Sequence, residues 1–285
     1  MTLFFLASFV LFSDSPQAVT YSFSGGRFGD NLLTYLHAKW LSYEHQVPLA
    51  YKPFPYSTEL ILDEREPSIE FFQDVELVEC PYFPENEFEL GKHPYFHFQV
   101  DWENHQFRQI AREMISPKEE LQLIYPPPGR ISVAIHVREG GGKDPDGFTL
   151  RDPLKCPPVA FYAECFKTAL NLLKGKPIYC RLFTDALHPE EIADAILLGV
   201  DDPSRVVMEY RREDNNPDAN VLEDFFSLFH YDILIRPESN FSIIPSLLHD
   251  FALVFSPHSF WMEEDHVYID EVNFKMNEEL YRRLL

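Results

Sequence analysis

Arg138 closes an apolar run, Ile131–Val137 (ISVAIHV), and is followed by Glu139 and three glycines, Gly140 to Gly142, then Lys143, Asp144 and Asp146. A guanidinium is permanently charged and fork-shaped. Glycine lets backbone N–H groups come close to a phosphate, so the combination suits an anion site. An ordinary strand-to-helix turn with solvated charges is the competing reading. A second corner of this kind lies near the start. Residues 18–24 alternate as a strand, Gly25-Gly26-Arg27-Phe28-Gly29-Asp30-Asn31 follows, and Leu33, Leu36, Trp40 and Tyr43 recur at helical spacing. The spacing predicts a helix over about 31–45 with Asp30 as its N-cap. Strand, Gly-rich loop and helix N-terminus form a ligand-binding corner around Arg27. Neither GxGxxG nor GxxxxGK[ST] is present.

The elements that hold these corners follow from the pattern. After Ile131, strands are predicted at 177–184, 205–210, 232–236 and 252–255. Helices are predicted at 157–173, 189–198, 222–229 and from 244, with a polar turn at 238–242. That βα alternation requires an α/β fold with a parallel sheet and helices on both faces. Ligands in such sheets bind at the carboxyl ends of the strands. The polar residues there are Arg138, Asp185, Arg236, Ser239, Asn240, Ser242 and His258, and Asp224 opens a helix nearby. Arginine, hydroxyls and helix N-terminal N–H groups suit phosphate; a carboxylate suits ribose or base. Upstream, residues 48–94 read as irregular, aromatic and proline-rich, 106–115 as a helix, and 125–129 (YPPPG) as the linker. His93, His97 and His105 do not form a metal set, because Pro94 breaks the helix that would align the first two.

At 285 residues the chain is long enough for two domains, and 45% hydrophobic content argues that it folds. The net charge of -22 excludes nucleic acid and anionic membrane as general partners, since both need a basic surface. A small phosphate ligand sees only local charge and is not excluded. Cys80, Cys156, Cys165 and Cys180 form no CxxC pair and read as scattered thiols of a reduced compartment, with one bridge expected only on export. Residues 2–12 (TLFFLASFVLF) are too short to span a bilayer. They fit a signal segment ending near residue 18, or a buried first element, and localisation stays open between cytoplasm and secretory pathway. No transmembrane span and no oligomeric state is read from the sequence.

The order of motifs resembles the fucosyltransferases of the alpha-1,2/alpha-1,6 and protein O-fucosyltransferase superfamily, most of all the alpha-1,2 branch. Gly26-Arg-Phe-Gly-Asp-Asn31 is similar to GRxGNQ. Residues 95–113 resemble the GYFQS…YF…IR segment, and Ile135-His-Val-Arg138 the HxR strand end. Phe161-Tyr162 falls where a YY pair begins the next helix. Leu182-Phe-Thr-Asp185 resembles FSDD, residues 223–235 LMSxCxHxIIA, Ser239-Asn-Phe-Ser242 SSFS, and residues 254–261 VIAPxxW.

The resemblance implies a GT-B-like architecture: two Rossmann-like domains facing a cleft, 1–128 on the acceptor side and 129–285 on the nucleotide-sugar side. It implies inverting, metal-independent transfer of fucose from GDP-fucose to a glycan or protein hydroxyl, with no cofactor. Arg138 would bind the β-phosphate and help it leave. Ser239, Asn240, Phe241 and Ser242 form the phosphate turn, His136 and Asp224 lie near guanine, Asp185 ends its strand, and Gly26, Arg27 and Gly29 line the cleft. The chain departs from the pattern at Gly141, where HxRxGD has its acid, at Asp30 in GRFGDN, at Asn240 in SNFS, and at Ile243-Ile244 in place of a tryptophan pair. An acceptor hydroxyl is deprotonated by a carboxylate in such transfers. Asp146 sits where the alpha-1,6 branch places its catalytic Glu and is the first choice; Asp30, Glu139 and Asp144 are alternatives. Two other readings are a metal-dependent glycosyltransferase using Asp144-Pro-Asp146 as DxD, and a non-catalytic GDP- or glycan-binding relative.

Overall fold

The run Ile131–Val137 is strand β3, buried along its whole length, and the rest of the second half is laid around it. A computed structural model describes residues 17–23, 25–80, 99–140, 142–143, 149–150, 152–213, 215–216, 218–264 and 266–285. In the first half these form β1 (Gln17–Tyr21), α1 (Phe28–His45), α2 (Leu62–Arg65), β2 (Glu76–Cys80) and α3 (His105–Ile115). After β3 come the short β4 (Gly142–Lys143) and β5 (Thr149–Leu150), then α4 (Val159–Leu172), β6 (Ile178–Thr184), α5 (Pro189–Leu198) and β7 (Val206–Tyr210). The chain continues through α6 (Val221–Ser227), β8 (Ile233–Ile235), α7 (Asn240–Leu248), β9 (Leu253–Glu263), β10 (His266–Met276) and α8 (Glu278–Leu284).

The fold is mixed α/β with a mostly parallel central sheet of order β10-β9-β8-β3-β6-β7. β3 lies between β6 and β8, parallel to both. The chain runs outward from β3 to β6 and β7, then returns to β8 on the other side. The strand order therefore reverses beside β3, the place where α/β sheets leave a crevice for ligand. Alternation sorts β3's side chains. Val133, Ile135 and Val137 pack in a core with α4 and α5; Ala134 packs in a second one with Phe183, Tyr231 and Leu234. His136 follows Ala134's parity, facing away from α4 and α5.

A further core joins the two halves. Leu32, Leu36 and Trp40 of α1, Phe107 and Ala111 of α3, Phe225 of α6 and Ile244 of α7 share it. At about 25 cal/mol per Å² of apolar surface removed from water, such a contact is the main force holding α1 against α7.

Several expectations are corrected. Asp30 is not the N-cap of α1; Arg27 is, and Asp30 accepts the Arg27 N–H (3.2 Å) from inside the first turn. Residues 238–242 are not only a polar turn: α7 begins at Asn240, with Ser239 as its N-cap. The stretch from 48 onward is less irregular than its prolines suggest. Ala50 N–H donates to the Val19 carbonyl (2.7 Å), and Leu49 pairs parallel with β1. β2 pairs parallel with β1 over its full length. The strand predicted at 252–255 runs on to Glu263 and returns antiparallel as β10. None of the four cysteines is in a disulfide. Residues 2–12, His93, His97, Gly141, Asp144 and Asp146 lie outside the described residues; Gln17 and Ala18 begin β1. Among the described residues no helix is long and apolar enough to cross a membrane.

Candidate functional site

A cleft of about 240 Å³ opens at the carboxyl ends of β3 and β6, under the N-termini of α1 and α7. Ten of the predicted site residues line it: Gly26, Arg27, Gly29, His136, Arg138, Asp185, Asp224, Ser239, Asn240 and Phe241. Ser242 lies one layer behind, its Oγ 2.8 Å from His136 Nδ1. Arg236 and His258 stand apart. Arg236 is partly buried and donates to the Glu238 carboxylate (3.1 Å), while His258 is on the part of β9 beyond the sheet, where β9 does not end.

Two guanidinium groups meet at one carbonyl. Arg27 Nη2 donates to the Gly140 oxygen at 3.0 Å and Arg138 Nε to the same oxygen at 2.9 Å. Burial first, then the Arg27 charge, lowers the Arg138 pKa, with Cys156, Asp30 and Asp185 acting against it. Like charges crowded in a low-dielectric cleft cost free energy until an anion joins them. Asp185 partly meets that need. It accepts the N–H groups of Glu139 (2.7 Å) and Gly140 (3.2 Å) and pairs with Arg27 Nη1 (3.4 Å). It therefore braces the loop after β3 and holds Arg27.

The helix ends add to the positive field. The N-termini of α1 and α7 approach so closely that a Cβ on Gly29 would lie 2.5 Å from the Phe241 nitrogen. Two helix dipoles then direct their positive ends at one place. Ser239 caps α7 without a side-chain capping bond. The two departures Asp30 and Asn240 meet here: Asn240 Nδ2 donates to Asp30 Oδ1 at 2.7 Å. A carboxylate and an amide thus replace two neutral polar groups of the pattern, and each supplies what the other needs.

His136 is neutral. Burial lowers its pKa to about 3; Asp185 pulls upward, and Arg138, Arg27 and Arg236 push further down. The unfolded chain binds this proton below the usual histidine pKa of about 6.5. Stability from the neutral imidazole is complete above that pH and is lost as pH falls toward about 3. We expect the melting temperature to drop across this window, with a shallower slope in His136→Gln. An identical slope in the variant would show that other groups carry the acid sensitivity.

Asp224 faces the cleft but is gripped by Arg211, Nη1 to Oδ2 at 2.8 Å and Nη2 to Oδ1 at 2.6 Å. Burial nevertheless raises its pKa, outweighing Arg211. Arg211 escaped the sequence reading although it follows β7, and the strand-end rule applies to it as well. Tyr56 escaped it too. It lines the cleft in the left-handed region (φ 66°) and donates its hydroxyl to the Asp218 carbonyl at 3.0 Å, tying the first half to the residues just before α6. Nothing local marks that role. Among the described residues no cluster of three or more His, Cys, Asp or Glu has metal-binding geometry.

Fold and site together define a class: an α/β protein with an arginine-lined cleft at the switch point of its sheet. No family model and no curated protein matches the chain. Among solved structures it is similar to the fucosyltransferase NodZ from Bradyrhizobium, at 14% identity over 93% of this chain and 100% of that one, TM-score 0.47. It is similar to POFUT1 in complex with GDP-fucose, at 13% identity over 84% and 96%, TM-score 0.47. It is also similar to TibC, an iron-containing dodecameric glycosyltransferase from enterotoxigenic E. coli H10407, at 11% identity over 85% and 60%, TM-score 0.34. None of the three is named an alpha-1,2-fucosyltransferase.

Proposed function

We propose that the chain is a glycosyltransferase that moves fucose from GDP-fucose to a glycan or protein hydroxyl, with inversion and without a metal ion. One observation carries the reading: Arg27 and Arg138 converge on a single carbonyl, beneath two helix N-termini, in a cleft at the sheet's switch point. This is a site for a group that gains negative charge as it departs. The sequence motifs narrow that group to a guanosine diphosphate. The bond between fucose C1 and the β-phosphate oxygen breaks, and its electron pair passes to the phosphate. Arg138 and Arg27 stabilise the transition state more than the bound donor, because that charge grows as the bond breaks. The acceptor oxygen attacks C1 from the opposite face and its proton passes to a carboxylate, for which Asp146 is our assignment from the resemblance. Residues 1–128 offer the acceptor, and 129–285 hold the donor through His136, Asp224, Ser239, Asn240, Phe241 and Ser242.

The test is release of GDP from GDP-fucose in the presence of an acceptor array, with EDTA or with Mn²⁺. Turnover at equal rate in both supports the proposal. Strict dependence on Mn²⁺ shifts it to a metal-dependent transferase using Asp144 and Asp146. Tight GDP binding without turnover on any acceptor leaves a binding protein.

A further inference from the structure

β9 and β10 are each 11 residues long, but only Leu253, Val254 and Phe255 pair with β8. The remainder, Ser256–Glu263 paired with His266–Asn273, is a two-stranded ribbon extending past the sheet. A lone ribbon is marginal in water. Cross-strand aromatic pairs hold this one: Phe255 against Phe274 at 4.9 Å near its base, and Trp261 stacked on Tyr268 at 4.3 Å and 12° near its tip. Its apolar surface is not spent inside the molecule. Half of the exposed large hydrophobic residues among those described lie on these two strands; Met262 is 59% exposed, Trp261 45%, Phe274 45% and Val272 43%. Monomeric proteins rarely gather exposed apolar side chains in this way unless something covers them.

Two further features say what covers them. β10 ends the six-stranded sheet, and among the described residues no strand pairs with its outer edge. Open edges are normally blunted by lysine, proline, a β-bulge or a covering element; β10 has one lysine, Lys275, at its base, no proline, and a register irregularity confined to Ile269–Val272, which leaves regular edge on either side of it. The ribbon is also acidic. Glu263, Glu264, Asp270 and Glu271 accompany that single lysine, on a chain of net charge -22. Two such surfaces repel, which disfavours a second copy, and an acidic partner is repelled equally.

We propose that the outer edge of β10 is a docking site for an extended, cationic segment of a partner polypeptide, added as a further strand. Backbone bonds to β10 give the register. Apolar side chains at alternate positions of the segment cover those of the ribbon, and its lysines or arginines face Asp270 and Glu271. This inference is independent of the cleft's chemistry.

The test uses the full chain and a synthetic peptide of about nine residues alternating lysine and valine, long enough to pair most of β10. Its glutamate–valine counterpart is the control. Expected are saturable binding of the lysine peptide only, slowed amide exchange along β10, and affinity about tenfold weaker in Asp270→Lys/Glu271→Lys. Both side chains are exposed, and the variant's unchanged melting temperature shows that the fold survives. No slowing of exchange in β10, or equal binding of both peptides, overturns the proposal. So does a dimer in sedimentation that Val272→Pro dissociates, since the edge is then filled by a second copy.

Discussion

Replacing Arg138 by alanine is expected to weaken GDP binding roughly a hundredfold, the equivalent of about 3 kcal/mol for the loss of charge-assisted bonds to a buried phosphate. Titration calorimetry measures it. Fucosyl transfer should fall further still, because the β-phosphate carries more charge in the transition state than in the bound donor. The apo protein should not melt earlier than wild type. Arg138 is desolvated and crowded by Arg27, and among the described residues its side chain makes one hydrogen bond, to the Gly140 carbonyl. Removing a crowded charge relieves as much as it forfeits. That separates lost binding from lost folding. Arg138→Lys keeps the charge but not the fork and should lie between the two. Arg282→Ala, on the exposed face of α8, should bind GDP as wild type does. Unchanged affinity in Arg138→Ala would remove the anion site, and with it the proposed reaction.

The same residues show how far the sequence could be read. β3, β6 and α5 were legible because each is a buried run or an amphipathic stretch bounded by Gly, Pro or charge, and local pattern decides such elements. The site residues were legible through topology: a parallel sheet places its strand ends on one side, so Arg138, Asp185 and Ser239 had to be neighbours. What escaped depends on distant partners. β2 reads as Glu-Leu-Val-Glu-Cys, too polar for a core strand, and is a strand because β1 lies beside it. Pro257 and the acids after Trp261 hid the long hairpin, whose ladder is held by cross-strand aromatic pairs invisible to a single window. The start of α7 reads as a polar turn in the sequence because Ser and Asn suit turns and N-caps equally. Asp30 and Asn240 were visible singly as departures. That they bond to each other follows only once α1 and α7 meet.

That meeting supplies the second large effect. Gly29→Ala is expected to lower stability by about 2 kcal/mol and the melting temperature by roughly 4–8 °C. Two terms compete. Alanine is the better helix former, by about 1 kcal/mol, and Gly29 is helical, so propensity alone predicts stabilisation. Packing opposes it: the new Cβ would stand 2.5 Å from the Phe241 nitrogen, 2.9 Å from its Cα and 2.9 Å from the Asn240 carbonyl carbon. These are backbone atoms at the start of a helix, and no rotamer change moves them. α7 must shift as a body against a core that also contains Phe225, Ile244 and Leu36. Close-packed interiors resist such shifts at about 1–3 kcal/mol or more, so packing wins. The cleft registers the same shift. Asn240 leaves Asp30, Phe241 moves from His136, and two helix N-termini separate where the phosphate is to bind. GDP affinity should therefore fall together with stability. Gly199→Ala is the matched control: its nearest neighbour is 4.0 Å away, and it should melt within about 0.5 kcal/mol of wild type. A Gly29→Ala variant melting at or above wild type would mean that α1 and α7 do not meet as closely as the site requires.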